Sequence, residues 1–345
     1  MADGEEVDDR VQCANADCRV AEDGKCVEGF ELVSCPHYGR AAAEPDQAAV
    51  DSDELEATIA IGLPGADTLT PDDVSHLLRA GETRVIAVIG PSDAGKTSLI
   101  ASLYDLFQDG PVAGVGFARS RTLHAFERTC HDARTASRRG VPHVSRTPRG
   151  NVRFYHLDLT GGVAGEALAL ALGDRAGEEY RGAADDPSIS RSFAEVRSAD
   201  SLTLLVDGER LLDAGARHNL RNELTLILQA LVDEGSVNAR QRLAVVLTKL
   251  DAVQTAAEAA RAEADFQSLL AQLRRLFGAL FADICPFRVA ASPKTDALPR
   301  GTGVSELMTF WLEPSIAPVA NRANPPNYAR AFARLRPVAE PEAEA

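Results

Sequence analysis

Residues 86–100 read IAVIGPSDAGKTSLI, an apolar β-branched run, then a small-residue turn, then a lysine and two hydroxyls. Gly90-Pro-Ser-Asp93-Ala94-Gly95-Lys96-Thr97 fits the spacing GxxxxGK[ST], with Ser98 following in the next helix. Glycines let backbone N–H groups curl around an anion, and the helix N-terminus behind them adds positive dipole character. In such a loop Lys96 reaches the terminal phosphates of a nucleoside triphosphate, and Thr97 offers its hydroxyl to Mg2+. The competing reading is an accidental strand–turn–helix match, which the strand before and the helix after argue against. The loop specifies a triphosphate and leaves the base open.

Working outward, strands are expected at 84–89, 152–157, 202–206, 243–247 and 286–290, and helices at 96–107, 120–138, 211–233, 255–281 and 304–312. Before the loop, TPDDVSHLLRA at 70–80 has an N-cap threonine, a proline at the first helical position and acids in the first turn. Alternation of strand and helix predicts an α/β fold, a mainly parallel sheet with helices on both faces. The expected organisation is a cysteine-rich zinc module at 10–40, a linker at 41–69 and a P-loop domain at 70–315. An extended or disordered tail at 316–345 completes it.

Two further patterns follow in the order a GTPase requires. VRFYHLDLTGG predicts a strand ending in Asp158-Leu-Thr-Gly161, where the aspartate would hold Mg2+ through water and the glycine amide would face the γ-phosphate. LAVVLTKLDAV predicts a buried strand followed by Thr248-Lys249-Leu250-Asp251. The Asp251 carboxylate would accept two hydrogen bonds from guanine's N1–H and 2-amino group while the lysine stem packs on the base. Adenine offers no such donor pair. Ala291 and Ser292, in RVAASPK after the next strand, would support the base with backbone amides. GTP or GDP with Mg2+ is therefore the expected ligand.

Through GPSDAGKT, DLTG, TKLD and ASPK, roughly residues 80–315 resemble the translation-factor-like (TRAFAC) branch of P-loop GTPases. They are most similar to the bacterial double-GTPase families of predicted conflict and defence gene clusters. That resemblance implies a nucleotide-dependent switch, and it implies a second GTPase or effector proteins as partners. It also requires a switch threonine between the phosphate loop and DxxG. Thr147 is the first choice, Thr122 the alternative, and simple turn-capping the bland reading of both. Arg146 or Arg149 would supply transition-state charge in cis; a solvated arginine face is the competing reading. Many GTPases carry a glutamine directly after DxxG. Here the residue is Gly162, so hydrolysis should be slow or partner-dependent, with Glu166 a substitute. Asp93 stands where cation-stimulated relatives carry Asn.

Cys13, Cys18, Cys26 and Cys35, with His37 close behind, put four thiols and an imidazole within a short span. Either four thiolates, or three thiolates and the imidazole, can close a tetrahedron around Zn2+. So small a segment would draw its folding free energy from the metal. Disulfides compete, but the acidic start MADGEEVDDR lacks a secretion signal's pattern, and no run of about eighteen apolar residues occurs. A cytoplasmic protein without membrane contact is the expectation. Its formal net charge of −15 over 345 residues opposes general nucleic-acid binding. Between Gly114 and Arg153, however, nine arginines face two acids. This basic insert and the cysteine module are the surfaces expected to meet partners. The functional alternatives are a P-loop ATPase or nucleotide kinase, and a zinc-dependent adaptor with a silent nucleotide pocket.

Overall fold

The computed structural model describes residues 31–35, 67–138, 147, 149–150, 152–161, 167–294 and 297–314. The chain divides into two units, residues 1–62 and 63–345. In the first, the described residues form one short 3-10 turn, Leu32–Ser34, followed by half-buried Cys35. Cys13, Cys18, Cys26 and His37 lie outside the described residues. No group of metal-ligating side chains is found among the described ones.

The second unit is built on a sheet whose described strands are β1 (Thr83–Ile89), β2 (Gly116–Arg119), β3 (Arg153–Thr160), β4 (Leu168–Asp174), β5 (Ser201–Asp207), β6 (Arg242–Thr248) and β7 (Asp283–Arg288). Their order is β2-β3-β4-β1-β5-β6-β7. From β4 to β7 neighbours run parallel, whereas β2 and β3 are antiparallel to their neighbours. The strand period of two divides the core. Ala87 and Ile89 pack on one face with Leu204, Val206, Val245 and Leu247, while Ile86 and Val88 pack on the other with Leu205, Ala244 and Val246.

The second of these faces is covered by α2 (Lys96–Asp109), α3 (Leu123–Arg138) and α10 (Val304–Leu312). The first is covered by α4 (Gly177–Asp185), α5 (Ala194–Ser198), α6 (Gly208–Leu212), α7 (Ala216–Asp233), α8 (Leu250–Thr255) and α9 (Ala259–Phe277). The lead-in helix α1 (Pro71–Ala80) starts at a capping box, with Asp73 N–H donating to Thr70 and the Thr70 amide donating back to Asp73. Trp311, the single tryptophan, is buried on α10 and donates its indole N–H to Thr203 on β5 at 2.9 Å.

One expected helix is divided and another is shortened. The span 211–233 breaks because the Asp213 carboxylate accepts the Gly215 and Ala216 amides and caps a new helix. The span 255–281 is shortened to α9 at 259–277, and the short helix α8 at 250–255 precedes it. At β4 the sequence suggests no element. That strand, LALALGD, opens on a Leu/Ala run of good helix formers and carries no β-branched residue, yet it lies between β3 and β1, where burial in the sheet overrides propensity.

Candidate nucleotide-binding site

The phosphate loop follows β1 and turns at two left-handed residues, Asp93 (φ 63°) and Gly95 (φ 95°). The Lys96 ammonium is buried and donates to the carbonyls of Gly90 and Pro91, both at 3.0 Å. Burial pulls its pKa down, and the charges of Asp174 and Asp93 partly restore it. Thr97, one residue on, donates its hydroxyl to Asp174 at 3.0 Å. Ser98 is half-buried in the first turn of α2.

Asp174 takes the place in the site that Asp158 was expected to hold. Strand β3 runs antiparallel to β4, so Asp158 pairs in register with Ala169, which in turn faces Thr83 at the start of β1. That level lies about 20 Å from the loop at ~3.3 Å per residue. There Asp158 accepts an ion pair from Arg119 at 2.6 Å and faces His156 at 3.2 Å. Gly161, one residue past the end of β3, leaves with it. Strand β4 runs parallel to β1 and delivers Asp174 opposite Val88, at the loop's mouth. The acid and glycine that meet the loop are therefore those of Asp174-Arg-Ala-Gly177, a second DxxG. The second DxxG is present in the sequence but does not stand out, because the Leu/Ala run before it carries no strand signature.

Gly177 is pressed against the loop. A Cβ built on it would fall 2.3 Å from the Ser92 nitrogen and 2.4 Å from the Pro91 carbonyl carbon. The residue directly after this DxxG is Glu178, and Arg149 forms an ion pair with it. Arg146, Gly162 and Glu166 lie outside the described residues. Arg175 turns away from the loop and is buried on Glu195, which accepts at 2.6 and 3.0 Å. Its guanidinium also stacks on Phe193 at 4.5 Å. This ties the start of α4 to α5.

Thr147 comes to the same carboxylate. Its hydroxyl donates to Asp174 at 3.1 Å and lies 3.4 Å from the Thr97 hydroxyl. Thr122 does not approach; it is buried and accepts the His156 amide at 2.9 Å. Burial pushes the Asp174 carboxyl up from the usual range, with Lys96, Thr97 and Thr147 pulling it partly back. One Asp174 oxygen, Oδ1, is buried with no hydrogen-bond partner among the described residues. Two hydroxyls and a carboxylate with a spare oxygen form a hard, all-oxygen donor set of the kind Mg2+ takes.

The end of the site expected to read the base is assembled from three strand ends. Thr248 donates its hydroxyl to the Ala94 carbonyl of the phosphate loop at 2.9 Å, joining β6 to the loop. Lys249 adopts a left-handed conformation (φ 54°) that turns the chain into α8. Its ammonium donates to Asp207 at 2.9 Å and Glu209 at 2.8 Å. Asp251 is buried, and its Oδ2 accepts the backbone amide of Lys294 at 2.9 Å. The loop of Ala291 and Ser292 thus meets Asp251 through Lys294. Glu209 and Asp207 carry no motif signature of their own, whereas Lys294 closes the ASPK stretch.

A family model described as Double-GTPase 2 matches residues 84–312. No curated protein matches the chain. Among solved structures, a bacterial selenocysteine-specific elongation factor, EF-Sec, matches at 17% identity with a TM-score of 0.30. That match covers 59% of this chain and 26% of the elongation factor's. No described helix is long and apolar enough to cross a membrane.

Proposed function

The chain belongs to the Double-GTPase 2 family, and from that premise we propose that it is a GTP-binding switch that hydrolyses GTP slowly to GDP and phosphate. The observation that carries this reading is the convergence on Asp174: Thr97 from the phosphate loop's helix and Thr147 from the segment before β3 share one carboxylate oxygen. Two segments that meet where a terminal phosphate is proposed to sit would report its presence or loss.

In this reading the loop amides and Lys96 hold the β- and γ-phosphates, the ammonium exchanging the Gly90 and Pro91 carbonyls for phosphate oxygens. Thr97, Thr147 and Asp174 would hold Mg2+, which supplies neutralising charge to the phosphates when bound. The Gly177 amide, packed beside Ser92, faces the γ-phosphate. Water attacks the γ-phosphorus and the bond to the β–γ bridging oxygen breaks.

Slow hydrolysis follows from Glu178. A carboxylate there accepts a proton from water but donates nothing to the phosphate, and its charge opposes the triphosphate. Arg149 neutralises that charge and, among the described arginines of the basic insert, is the one paired beside this DxxG. Guanine selection rests on Asp251, with Thr248 in the position that ties it to the phosphate loop.

The N-terminal cysteines are proposed to bind one Zn2+. The double-GTPase resemblance supports a part in a bacterial conflict or defence system, with a second GTPase or an effector docking on the basic insert or the cysteine module. The direct test of the nucleotide reading is displacement of a fluorescent guanine nucleotide. GTP and GDP with Mg2+ should compete at least about 10²-fold better than ATP, the scale of a buried charge-assisted pair. Equal competition would leave the ATPase reading standing. Asp251→Asn should shift preference toward xanthine nucleotides.

A further inference from the structure

Glu209 lies outside every sequence motif, yet it joins two of them. It accepts the Lys249 ammonium on Oε2 at 2.8 Å and the Lys294 ammonium on Oε1 at 2.6 Å. Lys249 belongs to the loop after β6 and Lys294 to the loop after β7. The backbone N–H of that same Lys294 donates to Asp251 at 2.9 Å. One carboxylate therefore bridges both loops that flank the base reader.

Glu209 is itself held in place. Gly208, before it, lies so close to β6 that a Cβ there would fall 2.4 Å from the Thr248 carbonyl oxygen. Asp207 caps α6 by accepting the amides of Glu209 at 3.0 Å and Arg210 at 3.4 Å, and its other oxygen accepts Lys249. Lys249 is a non-glycine residue in the left-handed region, a conformation that needs support from its surroundings. Two carboxylates on its ammonium supply it. Burial raises the Glu209 carboxyl, but the two lysines outweigh burial and leave its pKa lowered, so the bridge is ionised at neutral pH.

We propose that Glu209 is a positioning residue for base recognition, clamping Lys249 and Lys294 so that Asp251 presents its carboxylate squarely to the N1–H and 2-amino group of a guanine nucleotide. This rests on the guanine reading above. The clamp acts through Asp251 and touches no nucleotide atom itself. A charge-assisted pair of partly exposed groups sets the scale of its effect at about tenfold in affinity.

The test measures displacement by GDP, by inosine diphosphate (which lacks the 2-amino group) and by ADP, for the full-length protein and for Glu209→Ala. In the unaltered protein GDP should bind most tightly. Glu209→Ala should weaken GDP about tenfold and inosine diphosphate less, so that the ratio between them falls. Glu209→Gln, which keeps an acceptor and the side-chain volume, should lie between, and it carries the test if the alanine variant does not fold. Lys294→Met should reproduce the effect, and adding it to Glu209→Ala should cost nothing more. A uniform loss across GDP and inosine diphosphate would mark a merely structural role and overturn the clamp, as would an unchanged ratio. If the unaltered protein does not prefer GDP to ADP, the guanine reading fails first and the clamp falls with it.

Discussion

Gly177 lies against Ser92, so closely that a single added methyl carbon would stand 2.3 Å from the Ser92 nitrogen. The acidic strand end and the phosphate loop are thereby one packed unit. Gly177→Ala must push the loop or the start of α4 aside, an overpacking cost of about 1–3 kcal/mol. Thermal unfolding should show that loss, and nucleotide affinity should fall with it. A variant with unaltered stability and affinity would mean that this contact opens freely.

Asp174 carries a buried oxygen with no partner among the described residues. Asp174→Asn removes the buried charge while keeping an acceptor for Thr97 and Thr147. It should change the stability of the nucleotide-free protein by no more than about 1–3 kcal/mol, because the unpartnered oxygen becomes an equally unpartnered NH2 while the buried charge and its attraction to Lys96 are lost together. The same change should abolish the gain in nucleotide affinity that Mg2+ confers. Calorimetry with and without Mg2+ reads both effects. Asp158→Asn, about 20 Å from the loop by strand rise, should leave Mg2+ dependence untouched.

The pair of Arg149 and Glu178 separates two mechanisms. If Arg149 stabilises transition-state charge, Arg149→Ala should slow single-turnover hydrolysis on the order of 10³-fold with GTP affinity nearly unchanged. If it only neutralises Glu178, the loss should be far smaller, and Glu178→Gln should raise turnover by supplying a neutral donor and acceptor. Turnover insensitive to both substitutions would remove the pair from the mechanism.

For the N-terminal segment, metal analysis of the purified protein should find about one Zn2+ per chain, the stoichiometry of a single four-ligand site. Cys13→Ser should release it and expose residues 10–40 to protease. A metal-free protein whose thiols all react under native conditions would overturn this.

What the sequence determined by itself is local. The phosphate loop, the capping box at Thr70 and helix α10 at Val304–Leu312 are each set by a few adjacent residues whose turn, cap or period has one good solution. TKLD was legible for the same reason, since an apolar strand running into a charged turn is a short-range pattern. Two copies of DxxG in one chain could not be ranked this way. Which of them meets the loop depends on strand direction, and direction is a property of the sheet: β3 returns antiparallel and carries Asp158 away, while β4 runs beside β1 and delivers Asp174. Propensity gave no strand signal there, because the Leu/Ala run is a strand through its pairing with β3 and β1 on either side. Glu209 was equally invisible, because its two lysine partners stand 40 and 85 residues along the chain. Long-range hydrogen bonding chose these residues, and only the folded sheet brings their partners within reach.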